Sequence, residues 1–123
     1  GRRNNRWKTS VSKSLRKKME DVKVYMVVNL EIEDKDTYLK YEKGFFPILK
    51  KHGGEFLTFD DSFRHLEGSE PLTGGRVIIF SFPSEEAADG WYNDPEYQEL
   101  SKFRREGAPV RSLNLIKGLP PRK

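Results

Sequence analysis

A chain of 123 residues with 35% apolar and 34% charged side chains has material for one core and little to spare, so a single domain with a stretch left outside the core is expected. The absence of cysteine excludes a disulfide framework, a thiolate metal site and a cysteine nucleophile, and it fits a reducing compartment, the cytoplasm. The formal charge of +4 is unevenly placed: Arg2, Arg3, Arg6, Lys8, Lys13, Arg16, Lys17 and Lys18 stand among the first eighteen residues with no acid, which leaves the remainder at −4.

Residues 1–18 therefore separate from a domain at 19–123. Only Trp7, Val11 and Leu15 are apolar there, too few to offset the entropy of ordering, and a disordered basic tail is expected. Those three lie four apart and would share one helical face if a partner surface induced a helix. Other readings of the segment are a stretch upstream of a start at Met19 and a transit peptide, which its Arg- and Ser-rich composition is similar to. Non-specific nucleic-acid contacts are the most the tail implies. The longest uncharged apolar run, Val24 to Val28, is too short to cross a membrane.

From Val22 to Ile32 apolar residues alternate, with Val22, Val24, Met26, Val28, Leu30 and Ile32 on one face of an extended strand. The other face carries Lys23, Tyr25, Val27, Asn29 and Glu31, apolar at its middle, so a second layer is expected to cover it. Asp34 then caps a helix in which Tyr38, Tyr41, Phe45, Ile48, Leu49 and His52 recur at three- and four-residue steps. Pro47 predicts a kink or break at residues 43–47, and Gly53 predicts the helix stop. Glu55–Phe59 reads as a second strand, and Phe63–Glu67 as its continuation or a separate ribbon. Gly68–Gly75 is a loop.

The stretch Arg76–Leu100 organises the rest. Val77, Ile79 and Ser81 alternate with Ile78, Phe80 and Phe82, so a strand here is apolar on both faces and belongs at the centre of a sheet. Pro83 ends it, Ser84 caps a helix whose first turn holds Glu85 and Glu86, and Asn93-Asp94-Pro95 stops that helix and starts another with Asp94 as cap. Arg111–Lys117 is the last strand. The order β-α-β-β-α-β is the ferredoxin-like α+β arrangement, with helices on one face of an antiparallel sheet. The economical cover for the open face is the same sheet of a second copy, which predicts a homodimer joined through Tyr25, Val27 and one side of the central strand, taken as Ile78 and Phe80.

Phe82-Pro83-Ser84, Ala87-Ala88, Trp91-Tyr92 and Asp94-Pro95-Glu96-Tyr97-Gln98 follow one another at a spacing that resembles the signature of the DUF1330 family. His52-Gly53-Gly54, Leu66-Glu67-Gly68 and Lys117-Gly118-Leu119 agree with the same pattern, and the resemblance spans Val22 to Leu119. It implies a dimeric α+β barrel, in a superfamily whose other members include monooxygenases, isomerases and decarboxylases of aromatic or polyketide substrates. The family pattern commonly has an arginine where this chain has Phe59, followed by small glycines where it has Asp60-Asp61. That departure argues against an anionic site that needs the second-strand arginine.

Five residues are singled out as candidate ligand contacts. His52 stands beside Gly53-Gly54, where small residues let a ligand approach, although a position at the negative pole of a helix explains the spacing without any ligand. Tyr97 and Arg104 share a face of the last helix and could receive an anion or carboxylate, with Arg104 matching an arginine of the family pattern. Glu67 is the alternative, an ion-pair partner for Arg104. Trp91 serves core packing or stacks on a ligand. His52, His65, Asp60 and Asp61 lack metal-ligand spacing and neither glycine pair continues as a phosphate loop, so no metal and no cofactor is expected. The leading reading is a dimeric protein that binds or transforms a small organic molecule between helices and sheet. Its alternatives are a structural or regulatory homodimer without ligand and an RNA-recognition module; against the last, Val77 and Ile79 stand where stacking aromatics are needed.

Overall fold

A computed structural model describes residues 22–120, and the basic segment 1–18 lies outside them. The elements are β1 (Val24–Leu30), α1 (Lys35–Lys51), β2 (Glu55–Asp60), β3 (Arg76–Phe82), α2 (Glu85–Tyr92), α3 (Pro95–Gly107) and β4 (Val110–Lys117). The strands form one sheet in the order β2-β3-β1-β4 with antiparallel neighbours throughout. This is the ferredoxin-like α+β fold, its second helix split into α2 and α3.

The helix ends follow the local chemistry of the sequence. Asp34 accepts from the Thr37 amide at 3.2 Å, Ser84 from Ala87 at 3.0 Å and Asp94 from Glu96 at 2.9 Å, each relieving one amide that the helix cannot pair internally. α1 closes through a Schellman pair: Gly54 donates to the Leu49 carbonyl at 2.9 Å and Gly53, at φ +76°, to Lys50 at 3.0 Å. The break expected near Pro47 does not occur, and α1 is continuous from Lys35 to Lys51. Tyr41, Phe45, Ile48 and Leu49 are all buried along it, and Gly44 lies so close to α3 that an added Cβ would meet Leu100 Cδ1 at 2.6 Å. Tertiary packing on both sides of the proline holds the helix together.

The register of the sheet decides which residues meet the helices. Met26 lies opposite Phe80 and Val28 opposite Ile78, and directly opposed residues of an antiparallel pair project to the same face. Val24, Met26, Val28 and Leu30 are buried under the helices, so Ile78 and Phe80, at 9% and 3% exposure, belong to that core. Assigning these two to a dimer interface is therefore corrected: the set of β3 on the open face is Val77, Ile79 and Ser81, beside Tyr25 and Val27 of β1. The ribbon expected at Phe63–Glu67 is also absent. β2 stops at Asp60, whose carboxylate accepts from the Ser62 amide at 2.9 Å and turns the chain away.

Candidate functional site

Between the helices and the sheet lies a cavity of about 80 Å³ with aromatic walls. α1 contributes Tyr41 and Phe45 from its apolar stripe, β3 contributes Ile78 and Phe80, α2 contributes Trp91, and α3 contributes Tyr97 and Arg104 one below the other. Phe80 and Trp91 ring centres are 5.3 Å apart, edge to face, and those of Trp91 and Tyr97 4.1 Å, tilted, so the wall is a continuous aromatic cluster.

Its polar groups come from opposite elements. The Tyr41 and Tyr97 hydroxyls are 2.9 Å apart and hydrogen-bonded, and burial pushes the Tyr41 hydroxyl well above the ordinary tyrosine range, so it keeps its proton. Arg104 is only 6% exposed, its guanidinium carbon 5.9 Å from the centre of the Tyr41 ring. Among the described residues no carboxylate stands within 4.0 Å of it. Arg76 is handled in the opposite way. Asp61 receives it in a forked pair at 2.6 and 2.9 Å, Glu42 stands at 3.6 Å, and its guanidinium carbon lies 4.4 Å from the Phe59 ring centre. Asn29 fixes the start of that strand by donating to the Gly74 and Arg76 carbonyls, each at 3.1 Å.

An open groove of about 500 Å³ lies outside the cavity and shares Tyr38, Glu42 and Arg76 with it, so these three side chains form the partition between them. Burial raises the Tyr38 hydroxyl to about 12, which keeps that group neutral beside the two charges.

Of the residues singled out from the sequence, Trp91, Tyr97 and Arg104 line the cavity and His52 and Glu67 do not. His52 closes α1, and its Nε2 lies 2.7 Å from Asp94 Oδ2, which also receives Lys51 at 3.0 Å. The cap of α3 is thereby tied to the end of α1. The hydrogen bond to His52, then the Glu96 amide and Lys51, hold the Asp94 carboxyl at about 2 against an ordinary 3.8. A depressed carboxyl contributes stability that is complete above its unfolded value and lost as pH falls through its folded one. The acid-unfolding profile of the protein should accordingly steepen between about pH 4 and 2, and Asp94→Asn should flatten that part of the curve while weakening the fold at neutral pH. Circular dichroism across this range checks it; identical slopes in the two proteins would show that the clamp does not act. Glu67 sits in the exposed loop after β2 and pairs with nothing in the cavity.

Tyr38, Tyr41, Glu42 and Arg76 are polar lining residues that the sequence pattern does not single out as ligand contacts. A signal existed for Arg76, which shares the alternation of Ile78, Phe80 and Phe82 and so had to face the core side. Among the described residues no group of three or more histidine, aspartate or glutamate side chains is placed to hold a metal ion, and no helix is long and apolar enough to cross a membrane.

Fold and cavity together define a ferredoxin-like α+β domain with a small aromatic chamber under its helices. The chain belongs to the DUF1330 family: the family model described as "Domain of unknown function (DUF1330)" matches residues 23–119. Among solved structures it is similar to a protein of unknown function from Rhodopseudomonas palustris, at 22% identity over 93% of both chains with a TM-score of 0.64. It is also similar to a nipsnap family protein with unknown function from Agrobacterium tumefaciens, at 19% identity over 83% of this chain and 91% of that one, TM-score 0.51. A third is SnoaB, a cofactor-independent oxygenase from Streptomyces nogalater, at 12% identity over 80% and 94%, TM-score 0.52. At these identities the likeness is one of fold. No curated protein matches the chain.

Proposed function

We propose that the protein binds, or transforms, a small organic molecule in the chamber between helices and sheet, and that it does so as a homodimer. The observation that carries the first part is the chamber itself, walled by Trp91, Tyr97 and Arg104; a domain with a purely structural role would fill that space with side chains. Filling it is the test. Leu113 lines the chamber from β4 and is only partly buried, so Leu113→Phe takes up volume at a position that tolerates it. Ligand-observed NMR with a panel of small neutral and charged compounds should show binders to the native protein that the variant loses. Binders that survive the filling, or none for the native protein, would overturn the reading.

The dimer is supported by the sheet. No helix among the described residues covers the face bearing Tyr25, Val27, Val77 and Ile79, and Ile116, opposite Tyr25 on β4, is 51% exposed. A second copy laid on this face would bury a contiguous apolar centre inside a polar rim.

A further inference from the structure

Counting hydrogen-bonding groups in the chamber gives an excess of donors. Arg104 presents a guanidinium with five N–H groups and finds no carboxylate among the described residues, although the residue is only 6% exposed. The Trp91 indole Nε1–H, on the same wall, has no acceptor among them either. The Tyr41 and Tyr97 hydroxyls share one hydrogen bond, so one of their two protons is left to donate elsewhere. Against these stands Glu42, which lies toward the partition and within 3.6 Å of Arg76. A buried guanidinium without an acceptor is costly, and Arg76, held by two carboxylates, shows how this fold compensates one when compensation is internal.

We infer, resting on the reading that this chamber takes a small molecule, that its ligand is a short-chain carboxylate received by Arg104 and the Tyr41–Tyr97 hydroxyl pair. A planar carboxylate has the acceptor geometry that a guanidinium fork and a neighbouring hydroxyl satisfy together. Its apolar chain lies against Phe45, Ile78 and Phe80, which supply no polar partner. Size narrows the class. A volume of about 80 Å³, against roughly 150 Å³ for a cavity that takes benzene, restricts the ligand to a few non-hydrogen atoms and so to the shortest chains. The partition of Tyr38, Glu42 and Arg76 carries one charge of each sign and adds no preference of its own, so size alone selects short monocarboxylates over the longer dicarboxylates.

The experiment compares butyrate with butyramide, its neutral counterpart of the same shape, by calorimetric or NMR titration of the full chain at fixed ionic strength, with nitrate and succinate as further probes. Butyrate is expected to bind at least about tenfold more tightly than butyramide, since the hydrogen bonds to a charged group are worth that much. Arg104→Met should remove this preference and leave butyramide binding within about twofold. Nitrate should fail to displace butyrate at equal concentration, and succinate should bind more weakly. Butyramide binding as tightly as butyrate would overturn the carboxylate class and leave the chamber reading standing; binding of neither would overturn both. Nitrate competing on equal terms would reduce the site to one for any small anion. The comparison of probes uses the native protein alone, so it decides the matter even if Arg104→Met does not fold.

Discussion

Trp91→Ala is expected to destabilise the protein by about 3–5 kcal/mol, the range for truncating a large aromatic side chain in a packed core. Trp91 has no exposed surface, and its ring meets those of Phe80 and Phe82 at 5.3 Å and Tyr97 at 4.1 Å between centres. It therefore joins β3, α2 and α3 at one point. Removing it enlarges a chamber that already exists, and Tyr97, the ring nearest to it, is held in place by its hydrogen bond to Tyr41. For a domain of this size the loss corresponds to a fall in melting midpoint of roughly 12 °C or more. Chemical denaturation of both proteins measures it, with Trp91→Phe as a milder companion that keeps part of the cluster. A loss below about 1 kcal/mol would show that the ring is dispensable to the core.

How much of this was legible in the sequence depended on the range of the interactions. Asp34, Ser84 and Asp94 were readable as caps because each acts within three residues of itself, and the alternation of β1 gave its buried face directly. β3 gave no such answer. Both of its faces are apolar, so only the pairing of Met26 with Phe80 and Val28 with Ile78, which no local pattern contains, shows which set meets the helices. His52 could be read as the end of α1 but its partner could not, for a similar reason: Asp94 lies 42 residues away, and the two meet only because α1 ends where α3 begins. Tyr41 was visible as part of an apolar stripe, but its hydroxyl acquires a role from Tyr97, 56 residues on. The departure at Phe59 removed one arginine from consideration. A guanidinium stands over that ring nonetheless, supplied by Arg76 from the neighbouring strand.

Val27→Asp is expected to dissociate the proposed homodimer, or unfold the protein, at neutral pH, whereas Glu31→Gln should do neither. Val27 lies at the middle of β1, between Ile79 of β3 and Asn114 of β4, on the face turned away from the helices. In a dimer packed through that face, each chain would bring one carboxylate into the apolar centre near its two-fold mate. An unpaired charge buried there costs several kcal/mol, or the group takes up a proton to avoid it. In a monomer the same aspartate would stay partly solvated and the cost would be small, which is what makes the substitution discriminating. Glu31 sits just beyond the end of β1, toward the rim, and accepts from the Gly75 amide at 3.0 Å. Glutamine keeps a carbonyl oxygen for that bond, so the control changes the charge of the rim and little else. Light scattering on the three proteins reads the result directly: a native chain running at its monomer mass of 14.4 kDa, or a Val27→Asp dimer as tight as the native one, would mean that the open sheet face does not meet a second copy.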